Sequence, residues 1–252
     1  MIVAAGLTDI GCKRSENQDR ILVRSDEQLF AVADGMGGQR CGGRAAELAT
    51  IAIDEYFQSL SSEWLSWKDL APENELQTSQ LRMATAIRLA NERIFHESNV
   101  RADCRGMGCT IAAVTINGKV ATIGSVGDTR VYLFRAGQLA QLTRDDSVVA
   151  RLLESGAITA EQTRSHPMRN LLTQSLGTKE TVDVQINELG LMPGDRLLVC
   201  SDGLYPVIGD AAIQQILSSM DDPSAAVPQL ISAARAGGGP DNISSIIIDY
   251  RQ

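Results

Sequence analysis

Apolar residues recur along two stretches of the chain with the spacing of one helix face. Elsewhere they come in short runs broken by Gly, Asn and Asp. Within residues 40–60 the apolar set is Ala45, Leu48, Ala49, Ala52, Tyr56 and Leu60, and within residues 77–98 it is Leu81, Ala84, Ile87, Ala90 and Ile94. Each set makes a single stripe, which predicts two amphipathic helices lying on a sheet. The polar segment around Pro72–Asn74 reads as the loop joining them. Further helices are expected at about 145–156, 159–165, 168–175, 210–219 and 223–236.

The short runs read as strands: Ile2–Leu7, Ile21–Arg24, Leu29–Ala33, Thr110–Ile116, Val120–Val126, Thr129–Arg135, Val182–Glu188, Arg196–Cys200 and Ile243–Tyr250. Asn117-Gly118 between two of them signals a hairpin, because Asn-Gly supplies positive φ angles. Arg135-Ala136-Gly137-Gln138 is a weaker signal of the same kind. Many antiparallel strands with a few long helices give an α+β class, two packed antiparallel sheets flanked by helices. With no internal repeat and no low-complexity linker, residues 1–252 read as one domain.

Composition narrows the function. The net charge is −8, from 31 acidic and 23 basic side chains, which argues against nucleic-acid binding through phosphate neutralisation. The five cysteines, Cys12, Cys41, Cys104, Cys109 and Cys200, are odd in number and lack zinc-site spacing. They read as reduced thiols of a cytoplasmic protein, with Cys109 and Cys200 buried. The apolar start is interrupted by Asp9 and has no basic residue, so it reads as a first strand and not a signal peptide. No apolar run approaches the ~20 residues of a membrane span. A cytoplasmic monomer without a membrane or nucleic-acid partner is the expectation.

The chemistry lies in where aspartates fall. Strand Leu29–Ala33 runs into Asp34-Gly35, Leu197–Cys200 into Ser201-Asp202-Gly203, and Ile123–Val126 into Gly127-Asp128, while Gly239-Pro240-Asp241-Asn242 precedes the last strand. Singly, each Asp is a turn former or helix cap. Gathered at one sheet rim they would repel one another unless a cation neutralised them, and hard divalent cations take oxygen ligands.

An N-terminal signature adds specificity: Thr8-Asp9-Ile10-Gly11, Arg14, then Asn17-Gln18-Asp19-Arg20, followed by Val32-Ala33-Asp34-Gly35-Met36-Gly37-Gly38. With these, the chain resembles the metal-dependent protein phosphatases of type 2C in their compact bacterial form. The matching strings, in the family's order, are TDIGCKRSENQD, FAVADGMGG, RGMGCTIAAV, GSVGDTRVYLFRAGQLAQLT, LLTQSLG, PGDRLLVCSDGL and GGPDNISSIII. The resemblance implies a four-layer α-β-β-α sandwich with a flap at about 143–180 beside the site. It implies Mn²⁺ or Mg²⁺ as cofactor, two ions with a third, weaker one. Asp34 resembles the carboxylate bridging both metals, Gly35 a carbonyl ligand, and Asp202 and Asp241 the remaining carboxylates of the first metal. Asp19 resembles a residue that holds metal-bound waters, and Asp128 a ligand of the third ion. Arg14 resembles the arginine that grips the substrate phosphate.

The implied reaction is hydrolysis of phosphoserine and phosphothreonine by direct attack of a metal-bridging water or hydroxide. The implied partners are phosphorylated proteins and a cognate serine/threonine kinase whose signalling the enzyme reverses. His166, before Pro167, belongs to the flap in the resemblance and is a candidate substrate contact or proton carrier; a loop His that caps the next helix is the plainer reading. His96 reads as solvated. The chain departs from the pattern at Cys109, where Thr is usual, and in Thr143-Arg144-Asp145-Asp146-Ser147, which has Asp where His is frequent. A pseudophosphatase, a small-phosphoester hydrolase and a non-enzymatic scaffold are the competing readings.

Overall fold

A computed structural model describes residues 1–37, 41–67 and 75–251; the loop expected around Pro72–Asn74, the motif residue Gly38 and the side chain of Leu60 lie outside what is described. In chain order the elements are β1 (Ile2–Asp9), β2 (Asp19–Arg24), β3 (Leu29–Met36), α1 (Cys41–Trp67), α2 (Glu75–Val100), a 3₁₀ turn (Ala102–Cys104), β4 (Gly108–Asn117), β5 (Val120–Val126), β6 (Arg130–Arg135), β7 (Gln138–Gln141), α3 (Val148–Glu154), α4 (Ala160–Ser165), β8 (Gln185–Gly190), β9 (Asp195–Cys200), α5 (Tyr205–Ser219), α6 (Pro223–Ala236) and β10 (Ile243–Tyr250). They form two five-stranded antiparallel sheets, ordered β1-β10-β9-β6-β7 and β2-β3-β4-β5-β8.

Strand alternation builds the layers. Along β3, Phe30 and Val32 face the other sheet and join Val114, Ile123, Val131, Leu197, Val199 and Ile246 in the central core. Leu29, Ala31 and Ala33 face the opposite way, onto Ala45, Ala49, Ile53, Met83, Ile87 and Ala90 of α1 and α2. On the far side Leu198, Cys200 and Ile247 meet Ile213, Val227, Leu230 and Ile231 of α5 and α6. Strands covered on both faces must be apolar at nearly every position, which is why they read as runs and not alternations. The result is the expected α+β, four-layer α-β-β-α sandwich. Truncating one central side chain, such as Leu197→Ala, should cost roughly 2–5 kcal/mol.

Several local expectations are corrected. No helix forms over 168–175: Thr173 donates its amide to the Asp146 carbonyl, Leu176 donates to Cys109, and Leu172 bridges Ser147. Backbone groups committed to distant partners cannot also close helical turns. Helix α5 starts at Tyr205, earlier than expected, because a break at Gly209 (φ 76°) separates a first turn from the rest. The β4–β5 hairpin pairs Asn117 with Val120, so Gly118 (φ 59°) and Lys119 are its central residues and Asn117 ends the strand. At the next hairpin Ala136 (φ 50°) and Gly137 (φ 78°) both turn left-handed, and this brings in β7, a strand the periodicity did not reveal. On α2, Leu81 points to solvent with 64% exposure, and Met83 and Ala86 are buried instead.

The reading of five reduced thiols is also corrected. Cys41 and Cys104 form a disulfide with a Cα–Cα distance of 5.4 Å across 63 residues of sequence. The α1–α2 hairpin folds the chain back on itself, so the residue opening α1 meets the turn that follows α2; spacing alone does not reveal such a pair. Cys12, Cys109 and Cys200 are free, the last two buried as expected.

Candidate metal centre

The aspartates meet because of register. Asp19 opens β2 directly opposite Asp34 near the end of β3. Cys200, the last residue of β9, stands beside Arg130 at the start of β6 and Ser245 near the start of β10. Asp128, Asp202 and Asp241, which lie just outside these strand ends, are therefore carried to the same end of the sandwich as Asp19 and Asp34.

Their proximity shows in their electrostatics: carboxylates that raise one another's pKa stand close together, and not all can stay ionised without a counter-charge. Burial, and then the charges of Asp19, Asp202 and Asp128, hold Asp34 well above the usual carboxylate range. Burial and then Asp202 push Asp128 up to about 8. Burial pushes Asp19 up to about 6 against the opposing pull of its hydroxyl donors. Burial and then Asp241 raise Asp202 as well. Among the described residues, buried Asp19 Oδ1 and Asp202 Oδ1 find no hydrogen-bond partner. Hard oxygen donors, mutual repulsion and two orphaned oxygens together fit divalent cations.

The carboxylates are not one tight ligand cage. Among the described residues, the trio with ligand atoms all within 4.8 Å of one another is Cys41, Asp103 and Cys104, and both sulfurs there are spent in the disulfide. A looser spread of aspartates suits Mg²⁺ or Mn²⁺, which keep several waters.

The surroundings hold the cluster in place. Asp19 Oδ2 accepts from Ser201 Oγ (2.8 Å) and Ser244 Oγ (2.7 Å), and Ser244 Oγ lies 2.7 Å from Thr8 Oγ1, which accepts from Asn17 Nδ2 (2.8 Å). Asp19 belongs to one sheet and Thr8 and Ser244 to the other, so its carboxylate ties the two sheets at the site. Arg14 sends Nη2 to Asp241 Oδ2 at 2.6 Å, with half its side chain in solvent. The loop that presents Arg14 is pinned by Asn242: its Nδ2 donates to Ile10 O and Glu16 O (2.9 Å each), and its Oδ1 accepts from Gln18 N (2.8 Å). Gly35 can carry no side chain, since a Cβ there would lie 2.1 Å from the Gly42 carbonyl oxygen and 2.6 Å from that of Gln18.

Around Asp128 the start of the segment 143–180 is fastened. Tyr205 donates its hydroxyl to the Asp128 carbonyl at 3.2 Å. Arg130 forks onto Asp145 through Nε (2.9 Å) and Nη2 (2.7 Å) and stacks over the Tyr205 ring at 3.6 Å. Asp146 accepts from Gly127 N (3.0 Å) and Gln174 Nε2 (3.2 Å). His166 is half-buried at the end of α4, and its Nδ1 accepts from Met168 N at 3.2 Å; among the described residues it makes no hydrogen bond to the acidic cluster. His96 is exposed.

Sequence reasoning named Arg14, Asp19, Asp34, Gly35, Asp128, Asp202 and Asp241, and the fold brings the aspartates and Arg14 to one end. It missed Ser201, Ser244, Asn242, Arg130 and Asp146 as supports. Ser201 and Asn242 adjoin metal-ligand candidates, which was the available signal; Arg130 and Asp146 sit inside matched strings without anything to single them out.

A four-layer sandwich with an acidic cluster at the shared rim of its sheets is the architecture of metal-dependent protein phosphatases. It superposes on the catalytic domain of the serine/threonine protein phosphatase PstP in complex with two manganese ions, with TM-score 0.84, 30% identity, and coverage of 100% of this chain and 99% of that one. The family model for Protein phosphatase 2C matches residues 13–237. A putative protein phosphatase 2C-type of Streptococcus pyogenes is 35% identical over 246 residues, 96% of this chain and 94% of that protein. Serine/threonine protein phosphatase PstP of Mycobacterium tuberculosis is 33% identical over 245 residues, which are 97% of this chain and 44% of that protein, so the chain spans under half of that relative's length. The chain belongs to the protein phosphatase 2C family.

No helix among the described residues is long and apolar enough to cross a membrane.

Proposed function

We propose that this chain is a protein serine/threonine phosphatase that hydrolyses phosphoserine and phosphothreonine at a site holding two divalent cations, Mn²⁺ or Mg²⁺. One observation carries the reading: carboxylates from separate strand ends crowd together, raise one another's pKa, and among the described residues leave Asp19 Oδ1 and Asp202 Oδ1 unpartnered. Such an arrangement lacks positive charge at its centre.

Asp34, Asp202, Asp241 and the Gly35 carbonyl are the residues that would hold the ions, with Asp19 acting through water and Asp128 serving a third, weaker ion. Bound cations at such a centre lower the pKa of water and neutralise charge on phosphoryl oxygens. Arg14 supplies what the cations do not, a planar two-pronged donor for the phosphate oxygens. Its bond to Asp241 is exposed and therefore weak, so a phosphate dianion can take the guanidinium over. The segment 143–180, anchored at Asp145 and Asp146, forms the flap that would meet the substrate protein, with His166 on it. The manganese-bound PstP structure supports the choice of metal. Phosphorylated proteins are the proposed substrates, and reversal of a serine/threonine kinase is the proposed cellular role.

The test is hydrolysis of p-nitrophenyl phosphate and of a phosphothreonine peptide with Mn²⁺, with Mg²⁺ and with chelator. Turnover of both substrates with metal and none with chelator is expected. Equal turnover in chelator overturns the metal reading. Turnover of the aryl ester alone overturns the assignment of protein substrates.

A further inference from the structure

We propose that Cys41 and Cys104 form a thiol–disulfide exchange site that sets the affinity of the adjacent centre for its cations. The inference rests on the functional reading above and adds to it a form of control.

The disulfide joins the two ends of the α1–α2 hairpin. Cys41 is the first residue of α1, and Cys104 closes the 3₁₀ turn after α2. The bond closes the open end of the α1–α2 hairpin, with a Cα–Cα distance of 5.4 Å that suits a disulfide. On one side of it lies a stack of backbone without side chains. Gly42, next to Cys41, packs on Gly35 so closely that a Cβ on Gly42 would be 2.8 Å from the Gly35 carbonyl carbon and oxygen and 2.4 Å from Gln18 Oε1. Gly35 follows Asp34, and Gln18 precedes Asp19. The covalent staple is therefore joined directly to the stack, and the residues of the stack are joined directly to each facing carboxylate.

The other half of the bond closes the ring. Met107 donates its amide to the Cys104 carbonyl at 3.0 Å. A Cβ on Gly37 would lie 3.2 Å from Met107 Cα, and Gly108 pairs with Met36. Ser98 holds the turn onto α2 by accepting from Gly106 N at 2.8 Å. The segment Asp34–Gly37, which includes a proposed bridging carboxylate and a proposed carbonyl ligand, is thus enclosed by packing on both sides, and the Cys41–Cys104 bond locks the enclosure. Glycine stacks gain nothing from side-chain packing, so their position depends on what ties their neighbours. Opening the bond leaves the start of α1 tied to α2 by the Arg44–Glu97 fork and by packing, with no covalent link.

The chemistry favours exchange. Cys41 opens a 27-residue helix, where unpaired amide dipoles favour a departing negative charge, so it is the sulfur placed to leave when the bond is attacked. A dithiol reductant attacks one sulfur through its thiolate, the S–S bond breaks, and a mixed disulfide forms. Its second thiolate then displaces the protein sulfur. The reductant ends as a disulfide, and Cys41 and Cys104 end as thiols, with two electrons and two protons transferred. Both cysteines are buried, while Asp103 and Arg105 beside Cys104 are exposed, so a small reductant is the effective one.

The test uses the full chain. Thiols are counted in denaturant without reductant, before and after treatment of the native protein with dithiothreitol. Three thiols, from Cys12, Cys109 and Cys200, are expected before treatment, and all five after. Mn²⁺ affinity is then read from the free-ion signal in electron paramagnetic resonance. The reduced chain should bind Mn²⁺ several-fold more weakly. Cys104→Ser should match the reduced chain and ignore dithiothreitol, and Cys12→Ser should keep the difference. Should the serine variant fail to fold, the reduced wild-type chain makes the same comparison. Five thiols before reduction, even after treatment with a mild oxidant, overturn the proposal. Equal Mn²⁺ affinity in the two forms overturns the control while sparing the functional reading, whereas no Mn²⁺ binding in either form overturns both.

Discussion

Asp19 and Asp34 stand directly opposite one another on neighbouring antiparallel strands, the start of β2 against the end of β3, and the charge of Asp19 is among the causes that hold Asp34 above the usual carboxylate range. Facing like charges destabilise a strand pair. A fold that keeps this pairing therefore carries an electrostatic cost that only protons or cations relieve, and that condition makes the site testable through stability alone.

The pH dependence of the metal-free chain follows. Asp19 is pushed up to about 6 and Asp128 to about 8, first by burial in both cases, whereas in the unfolded chain each titrates near 4. Between those limits the folded state binds more protons than the unfolded state, so stability falls as pH rises. These groups' contribution is fully present below about pH 4 and is lost as pH climbs through 6 and 8. In chelator the melting temperature should rise as pH is lowered from 8 to 6. With saturating Mn²⁺, which replaces the protons, the slope should flatten or reverse. A chelated chain whose melting temperature rises toward pH 8 would contradict the assignment.

Asp34→Asn should separate function from stability. The amide keeps the size and shape of the carboxyl, and one negative charge leaves the cluster. Turnover should fall roughly a thousandfold or more, a loss of about 4 kcal/mol in transition-state stabilisation. The melting temperature in chelator should stay level or rise. If turnover and metal-free stability fall together, Asp34 is holding the fold and not a cation.

Much of this was open to reading in the chain, for a physical reason. Strands buried on both faces spell themselves as apolar runs, and an Asp where such a run stops marks a sheet rim; Asp34 and Asp202 are visible in that way. The helix stripes of α1 and α2 were equally legible, apart from Leu81. What could not be read were relationships between distant positions. Cys41 and Cys104 meet only because two long helices fold back together. Ser201 and Ser244 become ligands of Asp19 only through the register of β9, β10 and β2. The stretch 168–175 has helical spacing, but Asp146 and Cys109 claim its backbone hydrogen bonds. Periodicity reports local preference, and tertiary partners overrule it there.

The two serine hydroxyls on Asp19 Oδ2 fix which oxygen is left for the site. A hydrogen bond to a charged group contributes about 1.5–3 kcal/mol. Ser244→Ala should lower stability by about that much, since Ser244 also touches Thr8. It should also weaken Mn²⁺ binding, because a carboxylate with one donor fewer rotates more freely. Ser244→Thr keeps the hydroxyl and should recover Mn²⁺ affinity. Calorimetric titration of the two variants decides, and equal loss in both would show that packing, not the hydroxyl, matters.

Arg130 and Asp145 form a forked pair with side chains 19% and 13% exposed, roofed by Tyr205. Breaking a largely buried pair by removing one partner costs about 3–5 kcal/mol. Asp145→Ala should approach that loss in denaturant unfolding and should raise KM for a phosphopeptide more than for p-nitrophenyl phosphate, because the flap root moves while the acidic cluster stays. Arg130→Lys keeps the charge but not the fork and should sit between wild type and Asp145→Ala. Identical KM ratios for both substrates would detach the flap from substrate binding.

Asn242 offers the sharpest separation of binding from chemistry. Its amide makes three bonds to the loop from Ile10 to Gln18, which presents Arg14, yet its side chain is not among the proposed metal ligands. Asn242→Asp preserves the oxygen that accepts from Gln18 N and loses both donations, to Ile10 O and Glu16 O. It also sets a carboxylate against two carbonyl oxygens. The loop should loosen and Arg14 should spend less time where a phosphate can reach it. An arginine that grips the phosphate ester in both ground and transition states is felt in KM, while activation of water is felt in kcat. The expected result is a KM for p-nitrophenyl phosphate raised roughly tenfold, equivalent to about 1.4 kcal/mol, with kcat changed far less. Arg14→Ala should raise KM at least as much, and the double variant should be little worse than Arg14→Ala alone, because both changes remove one interaction. Additive losses in the double variant would mean that Asn242 serves Asp241 beside it and not Arg14.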